Sequence, residues 1–334
     1  MKFYTDVEVR GSTVYHRFIE NGVRKKEKTS AFSPTLFTNG APDYSVANSY
    51  RDLFGQVVKP KKFDTIADAK QFVKNMRDVS GMTFYGVQDY TLLFLNDTYP
   101  SPVEYDISKI RIGILDIEVS VPDGEGFPDP ADAAWPINLI TIHDSTTNTF
   151  FTFGEHPYTP KSSNVRYLCE PDEKKRLLKF VQFMQTVEFD VLSGWYSSTF
   201  DLPYIFRRIE NLFGEHVASK LSPWEKYSWK NEDRDDVRAE VVISGVAQLD
   251  YIELYKKHVP GEKENYKLDT IARIELGETK VAYEEEYGSL YNFAEGNLVV
   301  TEEPDPADEM YEIKLKAYKV HLIEQELIKR GVNF

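Results

Sequence analysis

The amino-acid sequence predicts a mixed α+β protein of the α/β class, in which a mainly antiparallel first domain precedes a domain of strands followed by helices. Strand-like runs separated by turn residues fill residues 1–36, whereas strands alternate with helical periodicity from Ile110 onward. The proline-containing stretch Asn96–Pro102 is typical of a linker. At 334 residues the chain is long enough for two domains, which we place at 1–105 and 106–334.

The first domain is predicted to open with a three-stranded antiparallel meander. Asn21 and Gly22 form a strong signal for a two-residue hairpin turn between its second and third strands. A helix is predicted at Ile66–Met76, with Ala67, Phe72 and Val73 packing inward. The strands of the meander are predicted at Phe3–Val9, Thr13–Ile19 and Val23–Thr29.

The second domain is predicted to begin with three strands and to continue as helix, strand and helix. Asp172 is the expected N-cap of the first of these helices, which carries Leu177, Val181 and Met184 along one face. This order of elements is expected of a ribonuclease H-like α/β domain. The predicted elements are strands Ile110–Val121, Ile137–Asp144 and Thr149–Phe153, helix Glu173–Val187, strand Val191–Trp195 and helix Pro203–Phe213.

Four further elements are predicted towards the end of the chain. Lys226 to Val242 should form a hairpin with a charged tip, and a short strand at Ala247–Asp250 should lead into the helix Tyr251–Lys257. Apolar residues at helical spacing predict a closing helix over 308–330.

The composition excludes several classes of protein. A net charge of −14 argues against sequence-independent nucleic-acid binding over a large surface, although it leaves room for a local basic groove or for metals that bridge acids to phosphates. The single cysteine, Cys169, excludes an internal disulfide and fits a reducing compartment. No signal peptide and no membrane-spanning run is recognised, so we expect a cytoplasmic protein without a membrane partner.

Two acids on one strand are the first candidate site. Asp116 and Glu118 lie two residues apart on the predicted strand and therefore share a face, with their α-carbons about 6.5 to 7 Å apart. In apolar surroundings two such charges need compensation, and Mg²⁺ or Mn²⁺ prefers carboxylate oxygens. The alternative is an acidic strand end that points into solvent. A third acid, Asp201, immediately precedes the helix opened by Pro203, where its simpler role is that of an N-cap.

The segments around these acids resemble the exonuclease motifs of family B DNA polymerases. Leu-Asp116-Ile-Glu118-Val is similar to the first motif, Asp-x-Glu, and Phe200-Asp201-Leu-Pro-Tyr is similar to the second. Gln248-Leu-Asp-Tyr-Ile-Glu-Leu-Tyr-Lys-Lys and Tyr266-Lys-Leu-Asp resemble polymerases of the T-even bacteriophage type. The resemblance covers nearly the whole chain.

The resemblance implies 3′→5′ proofreading hydrolysis of DNA ends. Asp116, Glu118 and Asp201 would be the catalytic and metal-binding residues for two divalent ions, Mg²⁺ or Mn²⁺. Phe200 would bind the terminal nucleotide, with core packing as its alternative, and the charged hairpin would help to part primer from template. The implied partners are DNA as a single-stranded 3′ end or primer-template, a polymerase subunit bearing the palm domain, and a sliding clamp reached through that subunit. If the protein is phage-encoded, its compartment would be the cytoplasm of an infected bacterium.

Three positions depart from the family pattern. Tyr196 stands where the second motif usually carries Asn, and Leu315 and Lys319 stand where the third motif, Tyr-x-x-x-Asp, requires Tyr and Asp. Sliding the register to Tyr318 does not restore the pair, because Leu322 then takes the acid position. We hypothesise that Lys319 forms an ion pair with Asp116 or Asp201, lowers occupancy of the second metal and weakens the exonuclease.

The motifs of the polymerase palm domain are missing from the sequence. We therefore expect a chain that does not add nucleotides, either as a natural subunit of a split polymerase or as a fragment. Two alternatives to an active proofreading nuclease remain at this point. One is a catalytically silent structural and template-binding subunit, and the other is an unrelated ribonuclease H-like nuclease, which the match through the first domain disfavours.

Overall fold

A computed structural model describes residues 1–39, 50–85, 89–122, 124–230 and 239–278. The expected closing helix over 308–330, with Leu315 and Lys319, lies outside these residues, as does the tip of the charged hairpin. None of the described helices combines the length and apolar composition needed to cross a lipid bilayer.

The chain begins with the expected antiparallel meander. Strands β1 (Lys2–Arg10), β2 (Thr13–Glu20) and β3 (Val23–Thr29) pair in the order β1-β2-β3. Asn21 and Gly22 adopt φ values of 52° and 78°, as the tight turn between β2 and β3 requires. The hairpin prediction is confirmed.

A second small sheet and two helices complete the first part of the chain. Strands β4 (Thr35–Asn39), β5 (Val58–Lys62) and β6 (Phe84–Tyr85) pair in the order β5-β4-β6, and helices α1 (Ile66–Met76) and α2 (Tyr90–Thr98) pack with them. The bounds of α1 are as predicted, but it buries Ile66, Ala69 and Val73, so the inward placement of Ala67 is wrong.

The predicted linker is wrong for its first three residues. Asn96 to Thr98 form the last turn of α2, which buries Tyr90 and Phe94 against the neighbouring sheet. Packing of these two aromatic side chains stabilises the helix, whereas the mostly apolar sequence over residues 90–95 shows little helical periodicity.

The larger part of the chain is built around a six-stranded mixed sheet. Its strands lie in the order β10-β9-β8-β7-β11-β14; the neighbours β7–β8 and β8–β9 are antiparallel, whereas the remaining pairs are parallel. The strands from the seventh onward are β7 (Ile112–Val119), β8 (Ile137–Asp144), β9 (Thr149–Gly154), β10 (Val165–Cys169), β11 (Val191–Ser193), β12 (Tyr227–Lys230), β13 (Glu240–Ile243) and β14 (Ala247–Gln248). The remaining helices are α3 (Glu173–Val187), α4 (Asp201–Phe213), α5 (Glu215–Ala218), α6 (Tyr251–His258) and α7 (Leu268–Leu276).

The predicted order of strands, helix, strand and helix is confirmed, and the mixed sheet is consistent with a ribonuclease H-like domain. Helix α3 has the predicted bounds, and the carboxylate of its N-cap Asp172 accepts the N–H of Lys175 at 3.0 Å. Strand β10, which lies beside β9 at the sheet edge, was not predicted, because Val165–Cys169 mixes polar and apolar residues.

Two separate hydrophobic clusters underlie this organisation. One gathers buried side chains between Val14 and Phe94, and the other gathers buried side chains between Leu115 and Val246. This separation favours a boundary near residue 105, which stays a prediction.

Candidate active site

Strand β7 presents its two acids on an open face of the sheet. Along this strand Leu115 and Ile117 are buried, whereas Ile114, Asp116 and Glu118 are exposed. The prediction that the acids share one face is therefore confirmed. Among the described residues, α3 and α4 pack on the opposite face and both acid side chains are exposed, so the apolar surroundings that we expected are not observed there.

Asp201 reaches β7 from another element. Helix α4 begins at Asp201, two residues earlier than predicted, and its N-cap is Phe200. The carboxylate of Asp201 does not serve as an N-cap; instead its Oδ1 accepts the backbone N–H of Ile117 at 3.0 Å. The side chain is 3% exposed.

The local sheet geometry explains this bond. Strand β11 ends at Ser193, which pairs with Ile114, so β7 extends beyond its parallel neighbour. The N–H of Ile117 therefore has no strand partner on that edge, and a buried N–H needs an acceptor. Asp201 supplies the acceptor and so ties the start of α4 to the acid-bearing end of β7.

Burial and a neighbouring charge act together on Asp201. Desolvation is the largest cause and the negative charge of Asp116 the next, and together they raise the pKa of Asp201 from 3.8 to about 7. Hydrogen bonds from backbone N–H groups lower this pKa by a smaller amount. Asp116 and Asp201 are thus close enough to repel, although they lie on different elements.

The loop between β11 and α4 is held by a further acid that the sequence argument did not assign to the site. The Asp250 carboxylate, which caps α6 through the N–H of Ile252, also accepts the N–H groups of Tyr196 at 3.1 Å and Ser198 at 3.0 Å. The signal that could have revealed it is its position immediately before a helix. Gly194 is required at the start of this loop, since an added Cβ would lie 2.5 Å from the carbonyl oxygen of Leu115.

Phe200 lies beside a second aromatic side chain that the sequence argument missed. The ring of Phe127, from the connection between β7 and β8, lies 4.9 Å from the ring of Phe200, and Phe127 is 75% exposed. The sequence signal for Phe127 was its position between Gly126 and Pro128. These neighbours indicate a surface turn, where an aromatic side chain is not buried in the core. The two rings therefore lie next to Asp201, which directly follows Phe200 in the sequence.

Two of the three predicted ligands, Asp116 and Asp201, lie near each other among the described residues. In this described part of the chain, no three His, Cys, Asp or Glu side chains gather closely enough to hold a metal ion, so Glu118 is not brought into one coordination sphere with Asp116 and Asp201. The pair Asp116 and Asp201 does fit a hard divalent cation, because carboxylate oxygens are its preferred donors and a cation would offset the repulsion that raises the pKa of Asp201.

The base of the charged hairpin is anchored to α4. Strands β12 and β13 pair antiparallel as predicted, and the carboxylate of Glu210 accepts from the Tyr227 hydroxyl at 2.5 Å and from Trp229 Nε1 at 3.1 Å. Arg207 bonds the same carboxylate at 2.8 Å and lies 4.3 Å from the centre of the Trp229 ring.

Comparison with known proteins agrees with this arrangement. Residues 69–271 match the model for the DNA polymerase family B exonuclease domain. The DNA-directed DNA polymerase of Escherichia phage RB69 is 33% identical over 309 residues, which cover 85% of this chain and 34% of that polymerase. The DNA-directed DNA polymerase of Enterobacteria phage T4 is 26% identical over 309 residues, which again cover 85% of this chain and 34% of that polymerase.

A more distant relative matches a shorter segment. The DNA polymerase catalytic subunit of Human herpesvirus 6A is 28% identical over 169 residues, or 48% of this chain and 16% of that subunit. The chain spans about a third of the length of its phage relatives. Because the family model covers more than half of the sequence, the chain belongs to the family B DNA polymerases and contains their exonuclease domain, of the T4 type.

Proposed function

We propose that this chain hydrolyses single-stranded DNA from the 3′ end, as the proofreading part of a family B DNA polymerase. The observation that carries the proposal is the proximity of Asp116 and Asp201, since a carboxylate whose pKa is raised first by burial and then by a second carboxylate would be stabilised in its ionised form by a cation. Family membership supports nuclease chemistry in general, and DNA is the substrate that fits a polymerase domain.

The acids of this chain would have different roles in binding the metal ions. Asp116 and Asp201 would hold a divalent ion, Mg²⁺ or Mn²⁺, and Glu118 would join them as a ligand once the site is loaded. Two such ions would supply a lowered pKa for the attacking water and charge stabilisation for the departing 3′-oxygen. Asp201, fixed by Ile117, keeps the ligand set in place.

The aromatic pair would position the substrate. Phe200 would contact the terminal base, and Phe127, whose exposed ring lies against it, would extend the stacking surface. The hairpin anchored by Glu210 would help to separate the primer end from its template. Both roles are proposals that rest on the site geometry and on the resemblance to the family.

The strength of the activity depends on residues outside the described part. The ion pair of Lys319 with Asp116 or Asp201, and a weakened second metal site, stay predictions. A catalytically silent structural and template-binding subunit is the alternative, and the family comparison does not favour it. We propose that the polymerase activity, a palm-bearing partner and a sliding clamp belong to the complete assembly, which acts in the cytoplasm.

The proposal is tested by nucleotide release from a single-stranded oligonucleotide labelled at its 5′ end, with Mg²⁺ or Mn²⁺ added stepwise. We expect products that shorten one nucleotide at a time from the 3′ end. Asp116→Ala should lower the rate at least 100-fold, because one of the cation's two principal ligands is lost. Asp78→Ala is the matched control, since Asp78 is an exposed acid of the first domain that lies away from the site.

Two results would contradict the proposal. One is wild-type protein that releases no nucleotide at any Mn²⁺ concentration, and the other is release that survives in Asp116→Ala. A phosphorothioate at the last linkage distinguishes the direction of cleavage, because it should block degradation that begins at the 3′ end.

A further inference from the structure

An aromatic surface lies next to the loop that leads to Asp201. Tyr196, the residue after Trp195, is 43% exposed, and Tyr251, whose ring lies near that of Trp195, is 57% exposed. The ring centres of Trp195 and Tyr251 lie 6.1 Å apart, and the backbone N–H of Tyr251 donates to the carbonyl of Gly194 at 2.9 Å. We call Tyr196, Trp195 and Tyr251 the aromatic strip.

A cation borders the aromatic strip. The ammonium group of Lys256, on α6, lies 5.3 Å from the centre of the Tyr266 ring, and Tyr196 is close enough to act on it electrostatically. Glu253 bonds Lys256 at 2.9 Å in an exposed pair. Exposed pairs of this kind contribute little, so a stronger anion can displace the carboxylate.

The conformation of Tyr196 is unfavourable for its residue type. Its φ of 63° lies in the left-handed region, which Asn tolerates far better than a bulky aromatic residue. The Asp250 carboxylate holds this backbone through the N–H of Tyr196. The ring is also exposed, so packing in the core gives no reason for an aromatic residue here.

We infer that the aromatic strip and Lys256 bind the nucleotides that precede the terminal one in a single strand of DNA. Exposed tyrosine rings offer stacking to any base, and an adjacent ammonium group offers a contact to phosphate. Tyr196 of the strip lies five residues before Asp201 on the same loop, so a strand whose end lies at the acids can continue across the strip. The inference rests on the proposed function.

The inference is tested by measuring the binding of a labelled single-stranded oligonucleotide by fluorescence anisotropy. EDTA is present so that no cleavage occurs. Tyr196→Asn should weaken binding roughly tenfold because stacking is lost. Its midpoint of urea unfolding should not fall, since Asn fits the left-handed backbone. Tyr196→Phe should bind as the wild type does, because the ring is kept. Tyr158→Asn, an exposed tyrosine at 56% in another loop, is the matched control.

The role of the Lys256 ammonium group in DNA binding is tested by two substitutions that should have opposite effects. Lys256→Gln should weaken binding and lower the slope of log affinity against log salt by about 0.7, the value for one phosphate contact in a single strand. Glu253→Gln should tighten binding, because it removes the carboxylate that competes with phosphate. A merely structural role for Lys256 would not predict this gain.

The outcomes separate the inference from the function on which it rests. Tyr196→Asn protein that binds the oligonucleotide like the wild type overturns the inference, as does wild-type protein that does not bind at all. In either case the release assay with Mn²⁺ decides independently whether the chain is a nuclease. A tenfold loss in Tyr196→Asn, with Tyr158→Asn unchanged, supports the inference.

Discussion

At the scale of single residues, one carboxylate has two tasks that oppose each other. The cation binding that we propose for Asp201 requires an ionised carboxylate, yet this side chain is buried beside the charge of Asp116, and its pKa is raised to about 7. The hydrogen bond from Ile117 fixes the side chain in this unfavourable place. The site therefore carries a cost in stability, which a bound cation would remove.

This cost predicts how stability depends on pH without metal. The pKa of Asp201 is higher in the folded chain than its ordinary value of 3.8, so its contribution is fully present below pH 3.8 and is lost as pH rises through about 7. The loss is at most about 1.4 kcal/mol per pH unit. Asp201→Asn keeps an acceptor for Ile117 but cannot ionise, so it should become more stable than the wild type above pH 7.

Urea unfolding in EDTA at pH 5 and at pH 8 measures the effect as a difference between the two proteins. Added Mn²⁺ should stabilise the wild type at pH 8 and leave Asp201→Asn unchanged. A difference in stability that does not vary between the two pH values would contradict this description of Asp201.

The sequence predicted some site residues better than others, for physical reasons. Asp116 and Glu118 are visible because a strand has a period of two, which fixes their common face. Asp250 and Phe127 act across the fold, through an N–H of a distant loop and through a ring contact, and no local spacing reveals such contacts. The sequence left open whether the strand acids face solvent, because an apolar pattern does not show which face of a strand is covered.

At the scale of elements, the candidate site lies where β7 extends beyond the end of its neighbour β11. The short parallel strand β11 stops before the acids of β7, and α4 starts in the space that remains. Helices α1 and α3 were predicted with their observed bounds because apolar periodicity and cap residues agree. Strand β10 and helix α2 depend on tertiary packing and were therefore missed.

The hairpin base gives a prediction at this scale. Glu210 accepts hydrogen bonds from Tyr227 and Trp229, and its charge helps to raise the pKa of Tyr227. Glu210→Ala should lower the free energy of unfolding by about 2 kcal/mol, because two half-buried donors lose a charged acceptor. Glu210→Gln should lose about half as much, since its amide oxygen still accepts.

Urea denaturation of these two variants measures the loss. A loss below 0.5 kcal/mol in Glu210→Ala, a bound well under the usual effect of such a change, would show that Glu210 does not anchor the hairpin. Equal losses in the two variants would show instead that the negative charge alone is what stabilises the base of the hairpin.

At the scale of the whole molecule, the meander and the six-stranded sheet are joined by buried charges. Arg17 of β2 is buried and donates to the carbonyl groups of Phe189 and Glu188 at 3.0 Å each, and its guanidinium lies 3.3 Å from Asp190. Arg24 of β3 bonds the same carboxylate. These partners lie more than 160 residues apart in the sequence, so periodicity could not predict them.

These contacts join the meander directly to the segment around Asp190, which precedes strand β11 of the sheet that bears the acids. A buried carboxylate is costly to stability unless its oxygens have partners. Besides its two arginine partners, Asp190 accepts the backbone N–H of Arg111 at 2.8 Å.

The central claim is that Asp116 and Asp201 together bind a divalent cation, and titration of metal-free protein with Mn²⁺ by electron paramagnetic resonance tests it most directly. The account predicts saturable binding by the wild type at pH 8 that falls at least tenfold in both Asp116→Asn and Asp201→Asn, while Asp78→Asn binds like the wild type. Mn²⁺ binding of equal strength in the wild type and in both site variants would contradict the account.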